Sequence, residues 1–432
     1  MKRLIDSLLA DWKNSTRRKP LIIRGARQVG KTYTISYFGN VNFKNFVLID
    51  FERNPEFKNI FDNDLHPARI IDELELATGK TIVPGETLIF FDEIQECPRA
   101  MVSLRYFFEE MPKLHVIAAG SLLEFVMGEF SFPVGRVQFI EIHPLNFLEF
   151  QMALENKRAV DYLSGFPKEL SESSHLFLLK QLKDYFFVGG MPEAVKTFVD
   201  TKSINKAIEV QHEICNSLIQ DFAKYNPQVN KQCLKDVFNS LAINVGKQTK
   251  YASLSNDYSG PTIKKALNTL VQAKLVHKIN AVNPQGFPLQ VMTSKVFKSC
   301  MLDIGIMNFL CGIYKTDEYF KKDLLSIYRG AMAEQFVGQE MAINQNNELF
   351  YWCRMAKSST AEVDYVIAVN DRIIPVEVKS AKAGSLRSMH QFLKEFPDCK
   401  GGYVFSTNKY AELPAQKLTF IPLYFAYSAS KN

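Results

Sequence analysis

The sequence predicts an α/β protein in three parts: an N-terminal doubly wound domain on a parallel sheet, a central helical and winged-helix segment, and a C-terminal α/β domain. Three observations predict it. Over residues 1–150, short continuously apolar runs alternate with helical stretches, as strands buried on both faces of a parallel sheet require. In the middle, three helical stretches lead into two strand-like runs around a Pro/Gly turn. The length of 432 residues suits about three domains. With 47% hydrophobic and 23% charged residues, disorder, a small disulfide scaffold and a collagen-like repeat are excluded.

Residues 1–20 read as an amphipathic helix with Leu4, Leu8, Leu9 and Trp12 on one face, and not as a signal peptide, because no long apolar core or small-residue cleavage site follows. Strands are expected at 21–23, 46–49, 87–91 and 116–119, with helices after Lys31 and over 99–111. Residues 151–222 form a helical, lid-like region broken at Gly189-Gly190. The part 223–328 holds helices over 230–245, 251–256 and 262–273, then strands at 275–279 and 289–292, the winged-helix order. In 329–432 a helix precedes strands at 349–353, 363–369 and 373–379, a helix at 386–396 and a strand at 402–406. The closest two of seven cysteines lie eleven apart, so zinc-ligand spacing is missing and reduced thiols are expected. With no apolar run of about 18 residues, the expectation is a cytoplasmic protein without a membrane span.

The first chemical signal is Gly25-Ala26-Arg27-Gln28-Val29-Gly30-Lys31-Thr32, a full GxxxxGK[ST] match after an apolar strand and before a helix. Backbone N–H groups of such a P-loop wrap phosphate oxygens, helped by the helix dipole. Gly25, Gln28, Val29, Gly30, Lys31, Thr32 and Tyr33 are the candidate nucleotide contacts, Lys31 reaching the β- and γ-phosphates of ATP and Thr32 holding Mg²⁺. About 60 residues later an apolar strand ends in Asp92-Glu93, placing Asp92 at the Mg²⁺ shell and Glu93 as the base that orients and deprotonates water. Ser121, after the fourth strand, serves as a γ-phosphate or water contact, or equally as a strand-end cap. Arg136 suits transition-state charge in its own domain or a neighbouring subunit, although by itself it reads as a surface arginine in a turn.

The net charge of +6 is mild, but its distribution is not. Residues 224–298 hold eleven lysines, no arginine, and only Asp236 and Asp257 as acids, a net of +9 that leaves −3 for the remainder. On a winged helix, Lys264, Lys265 and Lys274 would neutralise DNA phosphates with little base readout, whereas a solvated or protein-binding basic face is the competing reading. Farther on, Glu334 lies on a helix, Asp364 enters a strand, and Glu377 and Lys379 share one face of the next strand. Such a D…ExK cluster can bind Mg²⁺ through Glu334, Asp364 and Glu377, with Lys379 activating water for phosphodiester hydrolysis. A buried carboxylate–lysine ion pair without metal fits the same pattern.

Together these motifs resemble the bacterial and archaeal AAA-like P-loop ATPases that carry a C-terminal domain of unknown function. The resemblance spans nearly the whole chain. It rests on residues 25–32, Phe91-Asp92-Glu93, Gly120-Ser121, Val134-Gly135-Arg136, His143-Pro144-Leu145-Asn146-Phe147, Gly189-Gly190-Met191-Pro192-Glu193-Ala194-Val195, Asp303-Ile304-Gly305, Glu362-Val363-Asp364 and Pro375-Val376-Glu377-Val378-Lys379. It implies ATP hydrolysis, a sensor role for Ser121, an arginine-finger role for Arg136, in its own domain or across a homo-oligomer, and a C-terminal domain similar to PD-(D/E)XK nucleases. Ala119 departs from the polar residue many relatives have there. An ATP-switched regulatory or interaction protein without nuclease activity is the alternative function.

Overall fold

The computed structural model describes all residues except 122, 127–134, 226–228, 293, 314–329, 347, 355–360, 380–385 and 432. Val134, named above, and the first residue of the 329–432 part therefore lie outside the described residues. The chain divides into two compact units, residues 2–143 and residues 144–432 with Met1.

In the first unit, strands β1 (Leu21–Arg24), β2 (Asn45–Asp50), β3 (Thr87–Asp92), β4 (His115–Ala119) and β5 (Gln138–Glu141) form one sheet ordered β2-β3-β4-β1-β5. Every neighbouring pair is parallel. Helices α1 (Ile5–Asn14), α2 (Lys31–Asn42), α3 (Pro67–Thr78) and α4 (Pro98–Glu110) flank the strands in sequence. β3 and β4 are buried along their whole length, which explains their unbroken apolar runs. Phe51, Phe61, Phe91 and Phe107 pack together in the core, each fully buried ring contributing about 2–3 kcal/mol. The expected face of α1 shifts: Ile5, Leu9 and Trp12 are buried, whereas Leu8 is half exposed. Positions 5, 9 and 12 follow the i, i+4, i+7 stripe that a helix can bury. β5 was not expected, because its burial is that of a partly exposed edge strand with no apolar run.

The second unit opens with helices Phe147–Ala153, Lys157–Ser164, Glu172–Val188, Pro192–Thr201 and Ile204–Gln220. Helix Lys231–Ile243, strand β6 (Thr249–Lys250), a single turn Tyr251–Ser253 and helix Gly260–Gln272 follow. Then come β7 (Val276–Asn283), β8 (Gln290–Val291) and β9 (Val296–Met301), with β9 antiparallel to both β6 and β7. The helix expected at 251–256 is thus one 3₁₀ turn, and β9 adds a strand. After helix Ala331–Asn344 come β10 (Phe350–Cys353), β11 (Glu362–Val369), β12 (Arg372–Val378), helix Arg387–Glu395, β13 (Gly402–Ser406), β14 (Ala411–Leu413) and β15 (Leu418–Pro422). β10 runs parallel to β7, joining Phe350 to Asn280 and Tyr351 to Ala281, so the central and C-terminal parts share a ten-stranded sheet.

Buried hydrogen bonds tie the unit together and account for two motifs. Asp303 accepts from Gly190 N at 2.6 Å and Gly305 N at 2.8 Å. Asn146 and Glu149 form a capping box, and Phe147 N donates to Glu340 at 2.9 Å. All seven cysteines are free thiols. Among the described residues, no helix is long and apolar enough to cross a membrane.

Candidate functional site

In a parallel sheet the loops after the strands gather at one end. The turns following β1, β3 and β4 therefore bring the loop 25–32, Asp92-Glu93 and Ser121 to the same edge. Gly25 (φ +146°) and Gly30 (φ +89°) bend the loop through conformations that L side chains avoid, and a Cβ on Gly25 would lie 2.3 Å from Ile142 O. Val29 is buried and Gln28 is also left-handed (φ +65°). Lys31 is buried, with Nζ donating to the carbonyls of Gly25 (3.0 Å) and Ala26 (2.7 Å). Burial pushes its ammonium down to about 8, against the pull of Glu93 and Asp92. Thr32 Oγ1 donates to Asp92 Oδ2 at 2.6 Å. Asp92 is pushed up to about 6, chiefly by burial and despite that hydrogen bond. Tyr33 is exposed and stacks on Tyr37.

Glu93 adopts a left-handed backbone (φ +48°). Its carboxylate accepts from Gln95 Nε2 at 2.7 Å and from Ser121 Oγ at 3.4 Å. Sequence reasoning missed Gln95, although its place two residues beyond the Asp-Glu pair was a readable signal. Arg136 stands elsewhere. It precedes β5, whose first residue, Gln138, lies beside Leu21 at the start of β1. That is the opposite edge of the sheet from the loop, roughly 10–15 Å along the strand. There Arg136 pairs with Glu109 at the end of α4, so its expected action within its own domain does not fit this geometry.

The C-terminal residues converge, but not on one another alone. Lys298, from β9 and 1% exposed, donates to Glu362 at 2.8 Å and to Glu334 and Asp364 at 3.3 Å each. Burial by itself would lower its pKa, yet Asp364, Glu334 and Glu362 together hold it well above the usual lysine value. Burial beside Asp364 pushes Glu334 up to about 8. Asp364 Oδ2 accepts from Val378 N at 2.8 Å. Glu377 pairs with Lys379 at 2.5 Å, as strand alternation predicts, while Glu377 Oε2 is buried without a hydrogen-bond partner. The expected Mg²⁺ centre of Glu334, Asp364 and Glu377 does not fit this arrangement, because an ammonium occupies the middle of the carboxylates. Among the described residues, no group of three or more His, Cys, Asp or Glu is arranged to hold a metal ion. Sequence reasoning quoted Glu362 within its motif but gave it no role, although it shares the face of Asp364 two residues along β11.

Three family models match the chain. The first, described as an AAA domain, covers residues 17–151. Two models, each described as a domain of unknown function (DUF8612 and DUF4143), cover residues 179–317 and 329–425. No curated protein matches the chain. Solved structures that overlap it include the RuvB Holliday junction branch migration motor of Thermotoga maritima, 14% identical over 67% of this chain and 90% of that one, with a TM-score of 0.30. Another is the Aeropyrum pernix ORC1 protein in complex with DNA, 10% identical over 73% and 92%, TM-score 0.30. A third is AMPPCP-bound DnaA from Aquifex aeolicus, 12% identical over 62% and 87%, TM-score 0.28. Overlaps this loose carry no argument about activity.

The polar edge of the AAA domain fits a magnesium nucleotide. Lys31 is held by neutral carbonyls and so keeps a positive charge for a phosphate. Asp92 is a buried carboxylate whose paired neighbour is a hydroxyl, a donor set of oxygens suited to Mg²⁺. Glu93, fixed by Gln95 and Ser121, keeps its carboxylate at the same edge.

Proposed function

We propose that the chain is a Mg²⁺-dependent ATPase whose nucleotide site lies at the C-terminal strand edge of the AAA domain. The observation that carries this reading is the convergence of a buried Lys31, the Thr32–Asp92 pair and the oriented Glu93. In it, backbone N–H groups of residues 25–30 and the Lys31 ammonium bind the phosphates, and Thr32 and Asp92 hold the metal. Bound there, Mg²⁺ supplies charge neutralisation of the phosphate oxygens. Glu93 Oε1 or Oε2 takes the proton of the attacking water, while Gln95 and Ser121 keep the carboxylate in place. Arg136 acts, if in catalysis, on the nucleotide of a second copy, because its own loop lies at the other edge of the sheet. Turnover of ATP by the purified chain tests the reading: Lys31→Ala and Glu93→Gln should each lower it on the order of a hundredfold or more. Unchanged turnover in Lys31→Ala removes the proposal.

The second part of the proposal concerns residues 224–298. Their order of helix, short strand, turn, helix and antiparallel strands suits a winged helix. Eight of the eleven lysines (224, 231, 235, 247, 250, 264, 265 and 295) are exposed. Lysines without arginines favour phosphate contacts over base readout, so DNA bound without strong sequence preference is the proposed partner. The order helix, β10, β11, β12, helix, β13 likewise suits a nuclease-like fold for the C-terminal part.

A further inference from the structure

Within the second unit one lysine, Lys298, is buried among carboxylates. It belongs to the basic segment in sequence, yet its ammonium points into the carboxylates of the C-terminal part. We infer that the cluster of Glu334, Glu362, Asp364 and Glu377 is a charge-locked joint closed by Lys298, and not a divalent-metal centre.

Three contacts from the central segment close the joint. Lys298 bonds three carboxylates. Gln248 Nε2 donates to Glu362 Oε2 at 2.6 Å, so both oxygens of Glu362 are engaged. Gly246, left-handed at φ +78°, lets the backbone lie against Glu334, where a Cβ would come within 2.5 Å of Oε2. From the C-terminal side, Val378 N takes the second oxygen of Asp364, and Lys379 takes one oxygen of Glu377. A hard dication needs about six oxygen ligands. Among the described residues, Glu377 Oε2 is the one oxygen of this cluster that is buried without a hydrogen-bond partner. A dication among these carboxylates would also stand close to an ammonium of like charge, which a low-dielectric interior penalises strongly. The joint therefore fastens the basic segment to the C-terminal part through charge, and nucleic acid gripped by the exposed lysines is held without being cut at this cluster. This inference does not depend on the ATPase reading.

Mn²⁺ titration by calorimetry and electron paramagnetic resonance tests it on the full-length chain carrying Asp92→Asn, so that the nucleotide site contributes no metal. The chain with Lys298 intact should show no saturable uptake. Adding Lys298→Met, a stem of similar length without charge, should create one Mn²⁺ site per chain, lost again with Asp364→Asn or Glu377→Gln. Saturable uptake with Lys298 intact, abolished by Asp364→Asn, overturns the inference. So does Mg²⁺- or Mn²⁺-dependent plasmid cleavage that Asp364→Asn abolishes. A folded Lys298→Met chain that gains no site refutes the claim that the lysine stands in the metal's place. Should that variant fail to fold, the titration and cleavage assays with Lys298 intact decide alone.

Discussion

Two buried lysines sit beside carboxylates in this protein, and their environments are opposite. Lys31 leans on two backbone carbonyls, and its ammonium is pushed down to about 8. Lys298 touches three carboxylates and is held well above the usual value. The nearby acids divide in the same way: Asp92 and Glu93 bond to a hydroxyl and an amide, whereas Glu334, Glu362 and Asp364 bond to the ammonium itself. Burial of a lysine is therefore not what marks a binding site. An incompletely neutralised lysine is prepared for an anion from outside, and a fully paired one is already spent on structure.

Replacing each lysine by Met separates the two most strongly. Removing one partner of a buried ion pair leaves uncompensated charge, so Lys298→Met should cost about 3–5 kcal/mol in denaturant unfolding. The raised folded pKa of Lys298 means that this contribution is present below the unfolded value near 10.5 and is lost only as pH rises above it. Lys31→Met should cost less than about 1 kcal/mol or even stabilise the nucleotide-free chain, since it relieves a desolvated charge at the expense of two hydrogen bonds. Equal losses in the two variants would break the comparison.

Asp92 gives a smaller, pH-dependent effect. Its folded pKa of about 6 exceeds the ordinary 3.8, so the folded chain binds more protons between those values. Stability associated with this group is full below about pH 4 and is lost as pH rises through 6. Asp92→Asn should therefore stabilise the nucleotide-free chain by up to about 3 kcal/mol at pH 7, and by almost nothing at pH 4. Paired unfolding curves at the two pH values check this. In the unaltered chain, the affinity for Mg²⁺-nucleotide should fall as pH drops below 6, where protons compete with the metal for the carboxylate. A pH-independent benefit from Asp92→Asn would mean that burial is not what perturbs it.

What was legible in the sequence followed from proximity. The loop 25–32 and the Asp92-Glu93 pair are contiguous motifs at the ends of apolar strands, and the sheet merely brings those ends together. Strands β1 to β4 could be read from their apolar runs, whereas β5, with an exposed face, could not. Leu8 and Ile5 exchanged roles because a helical stripe one residue out of phase looks similar in a short segment. Lys298 was invisible for a different reason. Its three partners lie 36, 64 and 66 residues away, so sequence could only count it among the surface charges of the segment.

That correction leaves the exposed lysines as the smallest and most specific test. Lys264 and Lys265 stand on helix Gly260–Gln272 and are exposed, while Ile263, Ala266, Leu267 and Leu270 bury its other face. If the exposed face meets DNA phosphates, Lys264→Ala with Lys265→Ala should weaken binding about equally for unrelated sequences and reduce the slope of log affinity against log salt by about 2. Both lysines are exposed, so stability should shift by less than about 0.5 kcal/mol. Fluorescence anisotropy of labelled duplexes at several salt concentrations reads the slope. A change confined to one sequence would point to base readout, and an unchanged slope would assign this face to a protein partner. Lys298→Met provides the internal contrast: its ammonium already faces three carboxylates, so removing it from a chain that remains folded should leave the salt slope unaltered.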